Sequence, residues 1–308
     1  MNILIEANNL TKKFGKKSAI EDLTFSIEEG EVFGYLGPNG AGKTTTIRIL
    51  SCLISKTSGN AKIGDYKIGN KADSLKIRKM IGLVPDEVGL YDELSAYKNL
   101  DFYGKLYGCS ESQRKENIER FLKMFGLWDK KEQRVGTFSK GMKKKISIAR
   151  SLIHDPEVLF LDEPTANLDP ESAKTVRDFI IELKKEKKTI FFNSHNLDEV
   201  QRICDRIGIL KTRLLTIGTP EQLEDSIQGI KTVIQLEKID NSIIEAVKRI
   251  DSNLSINGNN LVIDVTNPEK DNPNLVRAII ERGGNIQSVS QLRPSLEEFY
   301  LKIVGDSK

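Results

Sequence analysis

Along the first two-thirds of the chain, short apolar runs alternate with stretches of helical periodicity. Val158 to Leu161, Thr189 to Phe192 and Ile207 to Leu210 are apolar at nearly every position, the pattern of strands covered on both faces, as in a parallel sheet with helices on either side. Ile3 to Asn9 and Leu23 to Glu28 alternate instead, which suits an antiparallel edge with one face exposed. From Tyr97 to Leu127 apolar positions recur at helical spacing, and Trp128, the only tryptophan, follows directly. These patterns predict an α/β domain with an antiparallel β edge and a mainly helical insertion over residues 85–150.

Beyond Leu215 the character changes, and Gly218-Thr219-Pro220 signals a turn. The remainder reads strand (Ile230 to Leu236), helix (Ser242 to Ile250), strand (Leu254 to Asn257), strand (Leu261 to Val265), helix (Pro273 to Arg282) and strand (Ile286 to Leu292). That βαββαβ order predicts a small ferredoxin-like α+β domain, with a last helix over Leu296 to Lys302. The expected domains are 1–225 and 226–308.

Composition narrows the function classes. The 308 residues carry 47 Lys+Arg against 44 Asp+Glu, a net charge of +3, which excludes the strongly basic footprint of a dedicated nucleic-acid binder and the charge excess of a disordered chain. The longest stretch without charge, Ser252 to Ile263, falls short of the roughly 20 apolar residues that cross a bilayer. Met1 to Glu6 lacks the pattern of a secretory signal. Cys52, Cys109 and Cys204 have no C-x-x-C spacing, which argues against a disulfide framework or a zinc site. An intracellular protein is expected.

The strongest local signal is Gly37-Pro38-Asn39-Gly40-Ala41-Gly42-Lys43-Thr44, a complete phosphate loop. Its glycines let backbone N–H groups wrap a triphosphate, and a helix starting near Lys43 adds the positive end of its dipole. Lys43 is expected to reach the β and γ phosphates and Thr44 to offer its hydroxyl to Mg²⁺, with Thr45 completing the nucleotide-binding run. Val158 to Leu161 leads into Asp162 and Glu163, where one carboxylate can hold Mg²⁺ and the other can take a proton from an attacking water. Asn70-Lys71-Ala72-Asp73 and Asp86-Glu87-Val88-Gly89 match GTPase motifs, but in the reverse of the GTPase order.

Around these elements stand Phe138-Ser139-Lys140-Gly141-Met142, Ile148-Ala149-Arg150-Ser151-Leu152, Asp162-Glu163-Pro164-Thr165-Ala166-Asn167-Leu168-Asp169-Pro170 and Asn193-Ser194-His195. Together they resemble the ATP-binding subunit of an ABC transporter over residues 2 to 225. The ending Arg293-Pro294-Ser295-Leu296-Glu297-Glu298-Phe299-Tyr300 is similar to that of the single-cassette multidrug and antibiotic exporters.

The resemblance implies a P-loop NTPase core that binds ATP and Mg²⁺. Phe14 falls where the family stacks an aromatic on adenine, a core phenylalanine being the alternative. Ser139 and Gly141 fall on the signature motif, which caps the γ-phosphate held by a second subunit, so a head-to-tail pair of ATPase domains is implied. Glu163 falls on the general base, His195 on the γ-phosphate contact, Asp162 on the metal carboxylate and Asp169 on the subunit contact. Asp86 stands where the family has a glutamine. Aspartate can still bind the metal, but when ionised it only accepts hydrogen bonds. Leu90 and Tyr91 fall where an integral membrane permease would dock, or pack locally. Lys143-Lys144-Lys145 reads as a solvated helix face. The implied location is the cytoplasmic face of the membrane, with export of a compound through the permease and no nucleic-acid partner. The alternative, a soluble ABC ATPase acting on ribosomes or nucleic acid, has less support. There is one phosphate loop, and Ile230 to Leu292 contains no Phe, Tyr or Trp for base stacking.

Overall fold

A computed structural model describes residues 2–86, 89–226, 230–250, 254–265, 267–292 and 295–306. Glu87, Val88, Arg293 and Pro294 of the motifs above lie outside the described residues. The chain divides into two units, Met1–Thr219 and Pro220–Lys308.

The first unit runs β1 (Ile3–Phe14), β2 (Lys17–Glu28), β3 (Val32–Leu36), α1 (Lys43–Leu50), β4 (Ser58–Ile63), β5 (Tyr66–Lys67), α2 (Lys71–Met80) and β6 (Ile81–Val84). The helical insertion follows as α3 (Ala96–Leu106), α4 (Glu111–Met124) and α5 (Lys140–Leu152). The unit closes with β7 (Val158–Asp162), α6 (Pro170–Lys185), β8 (Thr189–Asn193), α7 (Leu197–Ile203), β9 (Arg206–Lys211) and β10 (Arg213–Gly218).

Two sheets form. The antiparallel one has the order β2-β1-β4-β5, the other β10-β9-β3-β8-β7-β6, parallel except for β10. Every residue of β3, β7 and β8 is buried, which is why these segments read as unbroken apolar runs. Phe25 of β2 packs with Phe33, Tyr35 and Phe191 of the parallel sheet, and Phe191 in turn with Phe160, with ring centroids 4.9–6.3 Å apart. Such aromatic pairs contribute about 0.5–1.5 kcal/mol each beyond burial, so the two sheets are welded beneath the carboxyl ends of β3, β7 and β8.

In the insertion, hydroxyls cap the helices. Ser95 starts α3, Ser110 forms a capping box with Gln113 at α4, and Ser139 starts α5, each satisfying an N–H that would otherwise lack a partner. Trp128 lies in a 3₁₀ turn after α4 with the Lys131 ammonium 3.7 Å from its ring centroid, a cation–π contact.

The second unit contains α8 (Pro220–Asp225), β11 (Ile230–Leu236), α9 (Asn241–Lys248), β12 (Leu254–Asn257), β13 (Asn260–Val265), α10 (Pro268–Ile280), β14 (Ile286–Leu292) and α11 (Leu296–Asp306). Its antiparallel sheet, order β12-β13-β11-β14, is the ferredoxin-like arrangement. Ile234, Leu236, Leu261 and Ile263 pack against Ile243 and Val247 of α9 and Leu275 and Ile279 of α10. Two boundaries differ from expectation. Helix α8 packs with α11, so the division falls before Pro220 rather than after residue 225. Helix α10 begins at Pro268 because Asn267 caps the Lys270 N–H, leaving Pro273, the expected start, inside the helix.

Candidate nucleotide site

The turn after β3 and the start of α1 form one wall of a cleft of about 440 Å³. Residues 39–45 all line it, together with Phe14, Asp86 and Glu163. Lys17, Ala19 and Asn193 line it too and were not anticipated; only Asn193, ending the apolar run before Ser194-His195, left a sequence signal. Gly42 caps α1 with φ of +108°, and a Cβ there would collide with Ile20 and the Ala19 carbonyl. Only glycine lets the loop close this tightly.

Lys43 is buried, and its Nζ donates to the carbonyls of Gly37 (2.6 Å) and Pro38 (3.2 Å). These two loop residues do not line the cleft but hold its cation. Burial draws the Lys43 pKa below its ordinary value, opposed by the negative charges of Glu163 and then Asp162. Thr44 is exposed at the first turn of α1. Phe14 is 55% exposed at the cleft, which removes the core-phenylalanine reading.

The far wall comes from β7 and β8, paired in parallel through Asp162 and Asn193. The Asn193 amide donates to the buried Asp162 carboxylate, and the Glu163 N–H donates to the Asn193 carbonyl at 3.0 Å. Glu163 sits in the left-handed region at φ +48°, a costly conformation that clusters at functional sites. Its Oε2 lies 2.8 Å from His195 Nδ1. Thus Lys43, Asp162, Glu163 and His195 converge on one end of the sheet.

Ser139 and Gly141 are not part of that cleft. Ser139 accepts the Met142 N–H at 3.2 Å, and Gly141 lies against Ser172 and Asp169 at the start of α6, where a side chain would collide with Ser172. Asp169 itself caps α6 by accepting the Ser172 N–H. Tyr91 is exposed, yet its ring meets Phe102 edge-on at 5.2 Å, so exposure and local packing coexist there.

The lysine run corrects the expectation of a solvated face. Lys144 is only 4% exposed, and its Nζ donates to the carbonyls of Pro85 (3.1 Å) and Asp86 (3.4 Å). Lys143 pairs with Asp92 at 2.8 Å. Burial pulls the Lys144 pKa down, countered by Asp86 foremost and then by Asp162 and Glu163. A second cation therefore lies behind the loop carrying Asp86.

A phosphate loop on a parallel sheet, with two successive carboxylates, Asp162 and Glu163, at the end of a neighbouring strand, defines a P-loop nucleoside triphosphatase. The comparisons specify which. Residues 20–166 match the ABC transporter family and residues 218–304 match the family "ATP-binding protein DrrA1-3-like, C-terminal domain". The linearmycin resistance ATP-binding protein LnrL of Bacillus subtilis (strain 168) is 35% identical over 98% of each chain. The bacitracin transport ATP-binding protein BcrA of Bacillus licheniformis is 33% identical over 99% of this chain and 98% of its own. Among solved structures, cbiO1 from Clostridium perfringens superposes with a TM-score of 0.66 at 28% identity, covering 72% of this chain and 91% of that one. A dimeric ATP-binding cassette bound to ADP and Pi gives 0.64 at 26% identity, over 70% and 98%. The chain belongs to the ABC transporter family, as an ATP-binding subunit with a DrrA-type C-terminal domain.

Proposed function

We propose that this chain hydrolyses ATP to power export of a compound through a separate membrane permease. The observation that carries the reading is Glu163, which lines the cleft together with the phosphate loop and whose Oε2 lies 2.8 Å from His195 Nδ1. Loop amides, Lys43 and the α1 N-terminus bind and orient the triphosphate. Glu163 accepts a proton from the attacking water, and His195 holds the γ-phosphate in line. Phe14 carries the adenine.

The donors fit Mg²⁺. Thr44, Asp162 and Asp86 supply only oxygens, as a hard cation requires. Held by these three side chains, Mg²⁺ would supply neutralisation of charge on the bound phosphates.

Ser139 and Gly141 stand outside their own chain's cleft, which supports a head-to-tail pair of chains, each capping the other's ATP. The names of LnrL and BcrA support antibiotic-like cargo. In this reading the translocation path belongs to the permease, which holds this subunit at the cytoplasmic face; no helix among the described residues is long and apolar enough to cross a membrane. The test is Glu163→Gln. Loss of a general base costs roughly a hundredfold to ten-thousandfold, so turnover should fall by that much while an ATP-bound dimer accumulates in size-exclusion chromatography. Turnover near wild type would overturn the assignment.

A further inference from the structure

Glu199, in the first turn of α7, is only 4% exposed, and both of its carboxylate oxygens are used. Oε2 accepts from the Thr165 hydroxyl at 2.6 Å and Oε1 from Arg177 Nη1 at 2.8 Å. Thr165 lies two residues beyond Glu163, and Arg177 lies on α6. On its own side, Glu199 donates its N–H to Asn196 Oδ1 at 3.2 Å, and Asn196 directly follows His195. A closed ring results: Glu163, the chain to Thr165, Glu199, the capped start of α7, His195, and back to Glu163 through the 2.8 Å contact.

We propose that Glu199 is the positioning residue that sets the distance between Glu163 and His195, by tying the loop after β7 to the helix that follows His195. Two facts favour this over simple helix capping. A capping glutamate in the first turn would turn its carboxylate back to the N-cap backbone, whereas this one points to a different loop. A buried carboxylate also needs fixed partners; Arg177 supplies the opposing charge, and the Thr165 hydroxyl, two positions beyond the proposed base, supplies the tie to that loop. Charged hydrogen bonds of this length are short and directional, so the ring resists relative sliding of the two loops. A misplacement of about 1 Å at reacting groups can cost roughly a hundredfold.

The inference rests on the proposed roles of Glu163 and His195, and the experiment separates the two. ATPase rates and ATP affinity are measured on the full chain for Glu163→Gln, Thr165→Val, Thr165→Ser, Glu199→Ala and the Thr165→Val/Glu199→Ala double variant. Thr165→Val and Glu199→Ala should each lower kcat about tenfold or more, with KM for ATP within about twofold of wild type. The double variant should be little worse than either single one, because both break the same link. Thr165→Ser, which keeps the hydroxyl, should restore the rate. ATP binding by every variant certifies the fold. If Glu163→Gln abolishes turnover while Thr165→Val does not, Glu199 has no positioning role. Losses that add in the double variant, or that move kcat and KM together, overturn it equally. If Glu163→Gln itself keeps turnover, the functional reading fails instead.

Discussion

The Lys144 ammonium lies 3.1 Å from the Pro85 carbonyl, behind the loop that brings Asp86 to the nucleotide cleft. Where the resemblance places a neutral glutamine, this chain has Asp86, which lines the cleft together with Glu163, and Lys144 sets a positive charge against Asp86, Asp162 and Glu163. Asp86→Gln should keep or raise ATPase activity, since glutamine can both hold the metal through its oxygen and donate a hydrogen bond that an ionised aspartate cannot; a loss as deep as that of Glu163→Gln would contradict this. Lys144→Met should lower stability by about 1–3 kcal/mol, the usual cost of leaving buried acceptors without donors, read from denaturant unfolding. Lys144→Arg should lose less.

Phe14 presents an exposed ring to the cleft, with the Lys12 ammonium 4.9 Å from its centroid. Stacking a base on an aromatic ring contributes about 1–3 kcal/mol, so Phe14→Ala should raise KM for ATP roughly 5- to 150-fold with kcat little changed. Phe14→Trp should preserve affinity. A ring reads no hydrogen-bonding edge, so GTP and ATP should lose equally; steady-state kinetics with both nucleotides checks this.

His154 sets a pH dependence. Its Nε2 lies 3.0 Å from the Ile81 carbonyl, so it carries the proton, while Nδ1 is buried with no partner and the ring stacks on Tyr107 at 3.7 Å. Burial lowers its pKa below the ordinary 6.5. The unfolded chain then binds the proton first as pH falls through that value, so stability is complete above it and is lost below it. Between about pH 7.5 and pH 5.5, where histidine titrates, the wild-type Tm should drop further than that of His154→Phe.

Much of this architecture was legible because the signals were local. The unbroken apolar runs of β7 and β8 follow from burial on both faces, and the phosphate loop announces itself through glycines that its backbone cannot do without. Lys144 was hidden because three successive lysines read as solvent-facing. Its spacing to Gly141, Ile148 and Leu152, all on the buried face of α5, was the available clue. Glu199 was less accessible still, for three residues beyond Asn196 it imitates a helix cap, and its partners lie 34 and 22 positions away. Pro273 misled because proline suits a helix start, a role that Pro268 already fills.

The single tryptophan of this chain stands in the helical insertion, with Lys131 and Lys123 over its ring at 3.7 and 5.6 Å. Intrinsic emission excited at the indole band thus originates from one place, outside the nucleotide cleft. Any displacement of those ammonium groups alters its quenching. The molecule carries a built-in optical probe of its helical segment, which can be followed in real time as ATP is added, without a label.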